Sequence, residues 1–437
     1  MINALPFFLS RLVGFPLYQT FSSSMASVYT VTILICLFYC TITSKQVRVF
    51  RSMCEWMLTL GISQSSPSRR IFASISGSIV LIISLCLSAS VQGTPLAFYT
   101  FSLFNACFLA VTTGYLCTAV FAGAATLGAP FLQTVWAGQA TVAVAVSTIQ
   151  LVSSVISLWP VTTVVNEGGE AEAMAARIFF GASTIFLGIT LAAYVWLTRQ
   201  QFYKSVVDML ERHHRVANPE KLTGLIASNN RPSTGNVFRV LKQNWIFMFS
   251  AMYVFMVTFV SVCFGVMIAR RLTGGFFNQA VYPAITVRVR SADPSIRPLL
   301  FTSAHFLVFN VGDLIGRYSC SLPCLVVWSS KKILVMALLR TFFVPLLMLC
   351  NVDQPTGTTA SPIIGSDILF MIILLAKGYT NGYVSTLAML AASSLEHNPR
   401  LQNVREDADV ATTLGDAFLN LGLALNSLSS FGVQALM

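Results

Sequence analysis

Charged residues are scarce in this chain. Aspartate, glutamate, lysine and arginine make up 10% of its 437 residues, whereas hydrophobic residues make up 55%. An ordinary soluble domain has about 25% charged residues, so this chain has too little charge to cover a surface that faces water. The composition therefore excludes an ordinary soluble globular protein and predicts a polytopic membrane protein.

Motifs that carry chemistry are also lacking. The sequence has no glycine-rich phosphate loop ending in Gly-Lys-Ser or Gly-Lys-Thr, no metal-type cluster of histidine and glutamate, and no serine–histidine–aspartate spacing in an aqueous domain. Its ten cysteines are scattered without metal-type or disulfide-type spacing. The adjacent His213 and His214 would point in different directions on a helix, which is typical of a polar loop. The sequence thus predicts no enzyme, no ATP-driven pump, no cofactor and no metal site.

Long apolar runs dominate what is present. Several runs of about 20 residues are long enough to cross a hydrocarbon core of roughly 30 Å as helices, whose backbone hydrogen bonds are satisfied internally. The predicted fold class is therefore all-α, a polytopic bundle with ten spans. These lie near residues 26–43, 71–92, 97–126, 129–159, 174–198, 243–288 (interrupted), 298–328, 333–351, 366–392 and 411–436.

The placement of basic residues predicts the orientation. Seventeen of the 27 lysines and arginines lie in the connections after the first, fifth, seventh and ninth spans, which the positive-inside rule assigns to the cytoplasm. The net charge of +11 is thus explained by topology, and we predict the lipid bilayer as a partner and no nucleic acid. The largest connection, 199–242, is predicted to be a cytoplasmic loop between an N-terminal half (1–198) and a C-terminal half (243–437).

One apolar span contains opposite charges. The stretch FNVGDLIGR, residues 309–317, places Asn310, Asp313 and Arg317 at spacings of three and four residues, and hence on one helix face. Unpaired charges are costly at this depth, so the face must look into the bundle or a water-filled cavity. The pair is either a structural ion pair between helices or a platform for a polar solute. Aspartate accepts hydrogen bonds from hydroxyls and arginine donates several, a combination suited to a ribose or another sugar.

Seven motifs, in order along the chain, resemble those of the equilibrative nucleoside transporter family. FNVGDLIGR resembles the signature of that family's eighth helix, with Asn310, Asp313, Gly316 and Arg317 at the matching positions. The other matches are GQA at 138–140, LTRQQFYK at 197–204, YPAITVRVRS at 282–291, LLRTFFVPLLMLCN at 338–351, NGYVSTLAML at 381–390 and LGLAL at 421–425.

The resemblance implies a major-facilitator-like bundle of six and five helices around a central solute site. It also implies facilitated movement of nucleosides, and in some members nucleobases, by alternating access without ATP. It places Asp313 and Arg317 beside the ribose hydroxyls, with Asn310 on the same face. A glutamine found in some members falls near Cys117 or Thr118, which leaves the base preference open. Candidates for the pocket lining are Cys117 and Thr118 from this comparison, and Gln139, Asn381 and Asn420 as polar residues inside the predicted spans.

The sequence departs from the family at three places. Residues 2–12 resemble the end of the family's first helix, so most of that helix is expected to be absent and about ten full spans present. The segments 47–64 and 262–279 are each 18 residues long, begin with valine and end with glutamine. We interpret them as retained in-frame introns. The alternative is that they are native segments, a cytoplasmic addition and a re-entrant break respectively.

Two alternatives to nucleoside transport stay open from sequence alone. One is a truncated, non-transporting member of the same family, and the other is a facilitator of another small polar solute such as a sugar. The predicted location is an integral, multi-pass position in the plasma membrane or in a vacuolar or lysosomal membrane. The sequence gives no information on protein partners, oligomeric state or proton coupling.

Overall fold

The computed structural model describes residues 5–18, 20–43, 67–91, 93–127, 129–158, 170–201, 203–205, 234–273, 296, 298–350, 364–401 and 405–435. Within these ranges the chain forms twelve α-helices and no strand beyond an isolated bridge between Cys350 and Ile364. The helices are α1 (Leu5–Ser10), α2 (Phe21–Thr43), α3 (Pro67–Ser88), α4 (Pro95–Leu127), α5 (Ala129–Leu158), α6 (Glu170–Arg199), α7 (Thr234–Thr273), α8 (Pro298–Ser319), α9 (Ser330–Leu339), α10 (Phe343–Met348), α11 (Asp367–Ser393) and α12 (Arg405–Ala435).

The predicted all-α, polytopic class is confirmed. Among the described residues, α3, α4, α5, α6, α7 and α11 contain apolar segments of 19 to 27 residues, long enough to cross a membrane. Shorter apolar segments lie in α2 (Ser24–Cys40) and α12 (Val410–Leu425). The structure therefore supports a multi-pass membrane protein, while the predicted number of ten full spans stays a prediction.

Two predicted spans differ from the helices that form. The span predicted at 333–351 is broken into α9, a 3₁₀ turn at Arg340–Phe342, and α10. Pro345 follows this turn and has no N–H to bond the carbonyl of Thr341, which explains why a regular α-helix does not continue. The span predicted to reach residue 328 ends earlier, at Ser319, before a second 3₁₀ turn that begins at Pro323.

The structure describes only part of the two 18-residue segments that depart from the family, 47–64 and 262–279. Segment 47–64 lies outside the described residues. The first twelve residues of segment 262–279 belong to α7, which ends at Thr273, and residues 274–279 lie outside the described part. Most of the predicted cytoplasmic loop, 206–233, is also outside it.

Helices from both sides of the 199–242 connection pack against each other. Helix α8 runs between α5 and α11, and α12 packs against α2, α4 and α7. The largest buried cluster accordingly combines Phe121 and Trp136 of α4 and α5 with Met248, Leu387 and Leu414 of α7, α11 and α12. The charged face of α8 therefore lies where N-terminal helices (α1–α6) meet C-terminal helices (α7–α12).

Candidate functional site

Asp313 and Arg317 of α8 form the ion pair that their spacing predicts. The Nε of Arg317 donates to Oδ2 of Asp313 at 2.8 Å. Both residues are buried, at 5% and 7% exposure. The charged face of α8 thus points into the bundle, as the cost of exposing charge to lipid requires.

Arg317 also joins α8 to α5. Its Nη1 donates to the main-chain carbonyl of Trp136 at 3.0 Å, and its guanidinium lies 5.6 Å from the centroid of the indole ring. The indole stacks in turn on Phe121 of α4, with ring centroids 4.8 Å apart. The sequence interpretation missed Trp136, because an aromatic residue in an apolar span is typical of a core and a carbonyl partner leaves no trace in the sequence.

The second oxygen of Asp313 is held from α11. Asn381 Nδ2 donates to Asp313 Oδ1 at 2.8 Å, and Asn381 Oδ1 accepts from Nη2 of Arg340 at 2.9 Å. Arg340 Nη1 donates to the Thr380 hydroxyl at 2.9 Å. We call Asp313, Arg317, Asn381 and Arg340 the central polar network. It links α5, α8, α11 and the 3₁₀ turn between α9 and α10.

Close contact between α8 and α11 makes this network possible. Gly312 and Gly316 of α8 face Gly378 and Gly382 of α11. A Cβ atom on Gly316 would collide with the carbonyl oxygen of Tyr379, and one on Gly382 with that of Asp313. Small residues four apart let two membrane helices approach until their backbones touch. The patterns GDLIG and GYTNG display this spacing in the sequence, so it could have been used to predict the contact.

The other sequence candidates lie around the network rather than in it. Asn310 shares the helix with Asp313, but its Nδ2 donates to the Ser147 hydroxyl at 2.5 Å on α5. Thr118 of α4 accepts a long bond of 3.5 Å from Nη2 of Arg70. Cys117 packs beside the apolar contact between α2 and α12.

Two further candidates, Gln139 and Asn420, make no hydrogen bond to the central polar network among the contacts described. Gln139 is exposed on α5. Asn420 of α12 is buried and bonds within its own helix, where Nδ2 donates to the Asp416 carbonyl at 2.9 Å. Of the residues predicted to bind or line the site, the structure therefore joins Asp313, Arg317 and Asn381 directly.

The central polar network combines hydrogen-bond donors and acceptors. A carboxylate oxygen accepts more than one hydrogen bond, so Asp313 keeps acceptor capacity while Arg317 and Asn381 hold it in place. Of the two guanidinium groups in the network, that of Arg317 bonds this carboxylate directly and that of Arg340 is joined to it through Asn381. No group of three histidine, cysteine, aspartate or glutamate side chains with metal-binding geometry occurs in the described part of the chain. The site can thus donate to and accept from the hydroxyls of a polar solute.

Comparison with known proteins places this chain among transporters. A family profile described as "Nucleoside transporter" matches residues 103–435. Equilibrative nucleoside transporter 1 of Rattus norvegicus is 24% identical over 395 residues, covering 85% of this chain and 77% of the relative. Equilibrative nucleoside transporter 2 of Mus musculus is 32% identical over 215 residues, covering 47% of this chain and 40% of the relative.

A solved structure is also similar in outline. It is a bacterial homologue of the human lysosomal transporter Spinster, in an inward-facing and unoccupied conformation. The similarity has a TM-score of 0.44 at 13% identity and covers 98% of this chain and 79% of that chain.

Proposed function

Because the chain belongs to the nucleoside transporter family, we propose that it carries nucleosides across a membrane down their gradient, without ATP, by alternating access. Under this proposal, the nucleoside is the substrate that the chain binds and transports. The central polar network is assigned as the part of the site that binds the ribose.

The observation that carries this proposal is the buried Asp313–Arg317 pair with Asn381 bound to its second oxygen. A ribose presents neighbouring hydroxyls, each of which can donate and accept. The Asp313 carboxylate accepts from one hydroxyl, and the Arg317 guanidinium donates in a fixed planar geometry to another. The network lies within the part of the chain that matches the family profile.

The position of the network supports alternating access. Arg317 is bonded to α5, an N-terminal helix, while Asp313 is bonded to α11, a C-terminal helix. A solute that competes for these bonds changes the contact between the two groups of helices. Differential binding of this kind is what a ligand needs in order to shift a conformational equilibrium.

Uptake of labelled uridine and adenosine into cells that lack their own nucleoside carriers tests the proposal. We expect saturable uptake that needs no ATP. Asp313→Asn removes a charged acceptor worth about 1.5–3 kcal/mol, so transport efficiency should fall by roughly ten-fold or more. Discrimination against 2′,3′-dideoxyuridine should fall as well, because the variant no longer distinguishes the hydroxyls.

Asp407→Asn is the matched control. Asp407 is also a buried carboxylate paired with an arginine, Arg239, at 2.8 Å. It lies at the start of α12, a helix that contributes no side chain to the central polar network as defined above. The control should lower the amount of folded protein without changing discrimination between uridine and its dideoxy analogue. Unchanged discrimination in Asp313→Asn would remove Asp313 from the site, and absence of uptake by the folded native chain would contradict nucleoside transport.

A further inference from the structure

Three buried carboxylates occur among the described residues, and one of them differs from the others. Asp313 is paired with Arg317 at 2.8 Å, and both oxygens of Asp407 accept from Nη2 of Arg239, at 2.8 and 2.9 Å. Asp416 has neither arrangement. Its Oδ1 accepts a bond of 3.2 Å from Asn420 Nδ2, and its Oδ2 has no hydrogen-bond partner within the described part of the chain.

Asp416 is buried within the apolar part of α12. It falls inside the apolar segment Val410–Leu425 and is 4% exposed. An ionised carboxylate without a cation is strongly unfavourable in such a place, because burial removes the water that stabilises the charge. A neutral carboxylic acid avoids that cost. Its O–H also supplies a donor, which an ionised carboxylate does not have.

Among the described residues, the groups found around Asp416 supply no compensating positive charge. From α4, Cys117 is the titratable group that interacts with it, and from α2, Tyr29 packs in the same cluster beside Ala417. From α7 and α11, the side chains that meet the adjoining Gly415 are the thioethers of Met248 and Met389. Thiol, phenol and thioether groups carry no positive charge, so none of them stabilises an aspartate anion by pairing.

The surroundings of Asp416 also join the two groups of helices. Its neighbour Ala417 packs against Ile33 and Leu37 of α2. Farther along the same contact, the hydroxyls of Thr30 and Ser427 are 2.6 Å apart. Asp416 therefore lies where C-terminal α12 meets N-terminal α2 and α4, and separation of these helices would admit water to its carboxyl group.

We infer that Asp416 is a proton-binding site whose occupancy is coupled to the contact between α12 and the helices α2 and α4. Asp416 is the neutral acid when the helices are packed as observed. When they separate, the hydrated carboxylate becomes stable and one proton passes to the water. Because coupling is reciprocal, proton binding favours the packed arrangement to the same extent that packing favours proton binding. The link from this site to transport rests on the proposed function, whereas the proton site itself does not.

Infrared spectroscopy of the purified chain in lipid tests the proton site without any substrate. With aspartate labelled by carbon-13, the native chain should show the carbonyl band of a protonated carboxylic acid at neutral pH, shifted by the isotope. The band should be lost in Asp416→Asn and kept in Asp407→Asn, since Asp407 is paired with Arg239. Asp416→Glu keeps the acid, so its band should remain but lose the isotope shift. Absence of the band in the native chain, or its persistence in Asp416→Asn, would overturn the assignment.

Transport then tests the coupling. Uptake by the native chain in proteoliposomes should change several-fold across roughly pH 5 to 8, a range in which perturbed side chains titrate. Asp416→Asn resembles the neutral acid, so its uptake should become insensitive to pH in that range. A native pH profile in this variant would overturn the coupling. The infrared result stands even where the native chain moves no nucleoside, so failure of this inference is distinguishable from failure of the proposed function.

Discussion

Asp313 is oriented by a residue that does not touch it. Asn381 holds its Oδ1, and Arg340 holds Asn381 from the 3₁₀ turn between α9 and α10. The planar guanidinium bonds Thr380 and Asn381 at the same time, at 2.9 Å each. A side chain with this geometry fixes the amide of Asn381 in one orientation, with its N–H donor towards the carboxylate. Arg340 is therefore a positioning residue for the proposed ribose site.

Arg340→Lys tests this positioning role. Lysine keeps the positive charge but lacks the planar fork, so it cannot hold Thr380 and Asn381 together. We expect KM for uridine to rise several-fold with a smaller effect on the maximal rate. The measurement is the concentration dependence of uptake in the variant and in the native chain.

Asn381→Ala gives the control for that prediction, because it removes the intermediate group. If Arg340 acts through Asn381, the two substitutions together should cost less than their sum, with an interaction energy of about 0.5–3 kcal/mol in a double-mutant cycle. Additive effects on KM would show that Arg340 acts by another route.

The residues of the network were predictable to different degrees. The Asp313–Arg317 pair was accessible from sequence, because a spacing of four on one helix is a local property. Asn381 was identified as an in-span polar residue, but its bond to Asp313 joins positions 68 apart and depends on how two helices pack. Gln139 was expected to line the pocket as a polar residue inside a span, yet it is exposed, because a polar residue in an apolar run does not by itself determine which face it occupies.

At the scale of the helix, the glycines of α8 and α11 determine the spacing between the two backbones. Gly316→Ala would place a methyl group against the carbonyl of Tyr379, which is main chain and cannot rotate away. We expect the free energy of unfolding to fall by about 1–3 kcal/mol, as is typical of overpacking. This should be seen as a lower midpoint of thermal unfolding in detergent. Uptake should fall too, because separating α8 from α11 lengthens the Asn381–Asp313 bond.

Gly188→Ala is the matched control for this contact. Gly188 lies in α6, which is also apolar, and a Cβ there meets nothing within 4 Å. Alanine favours helix over glycine by about 0.8–1 kcal/mol, so this variant should be as stable as the native chain or more so. Equal unfolding midpoints for the two alanine variants would mean that close contact at Gly316 is not required.

The helices themselves were more predictable than their breaks. Apolar length located α3 to α7 and α11, because crossing a hydrocarbon core sets a minimum number of residues. The break between α9 and α10 was not predicted from apolar length, since the run continues through it, although Pro345 marks the position where a regular hydrogen bond is impossible. The break matters for the proposed ribose site, because it places Arg340 against α11.

At the scale of the whole molecule, two antiparallel helix pairs join the N-terminal and C-terminal helices. Along α5 and α8, Trp136 lies opposite Arg317, Ser147 opposite Asn310, and the Ser154 hydroxyl is 3.0 Å from that of Ser303. Along α2 and α12, Thr30 meets Ser427. Apolar periodicity does not indicate which helices become neighbours, so this arrangement could not be predicted from composition or spacing. Alternating access requires these contacts to open at one end while the other end stays closed.

A cysteine pair at Ser154 and Ser303 would therefore hold α5 and α8 together at one end. Because the two hydroxyl oxygens are 3.0 Å apart, sulfur atoms in their place should be able to approach closely enough to form a disulfide. We expect the double variant to lose most nucleoside uptake on oxidation and to recover it on reduction, whereas each single variant stays active. The measurement is uptake in proteoliposomes before and after a mild oxidant and then a reductant.

A second cysteine pair separates locking from general damage. The hydroxyl oxygens of Ser78 on α3 and Thr112 on α4 are 3.1 Å apart. Both helices belong to the N-terminal group. Cross-linking them constrains neighbours that move together in a rocking mechanism, so uptake should survive oxidation. The ten native cysteines are present in both double variants and cannot account for a difference between them. Loss of uptake in both pairs would indicate that α3 and α4 also move apart, which rigid rocking of one group of helices against the other does not allow. Retention of uptake in both, with the cross-links verified by mass spectrometry, would show that α5 and α8 need not separate near Ser154, and transport would then require a different moving contact.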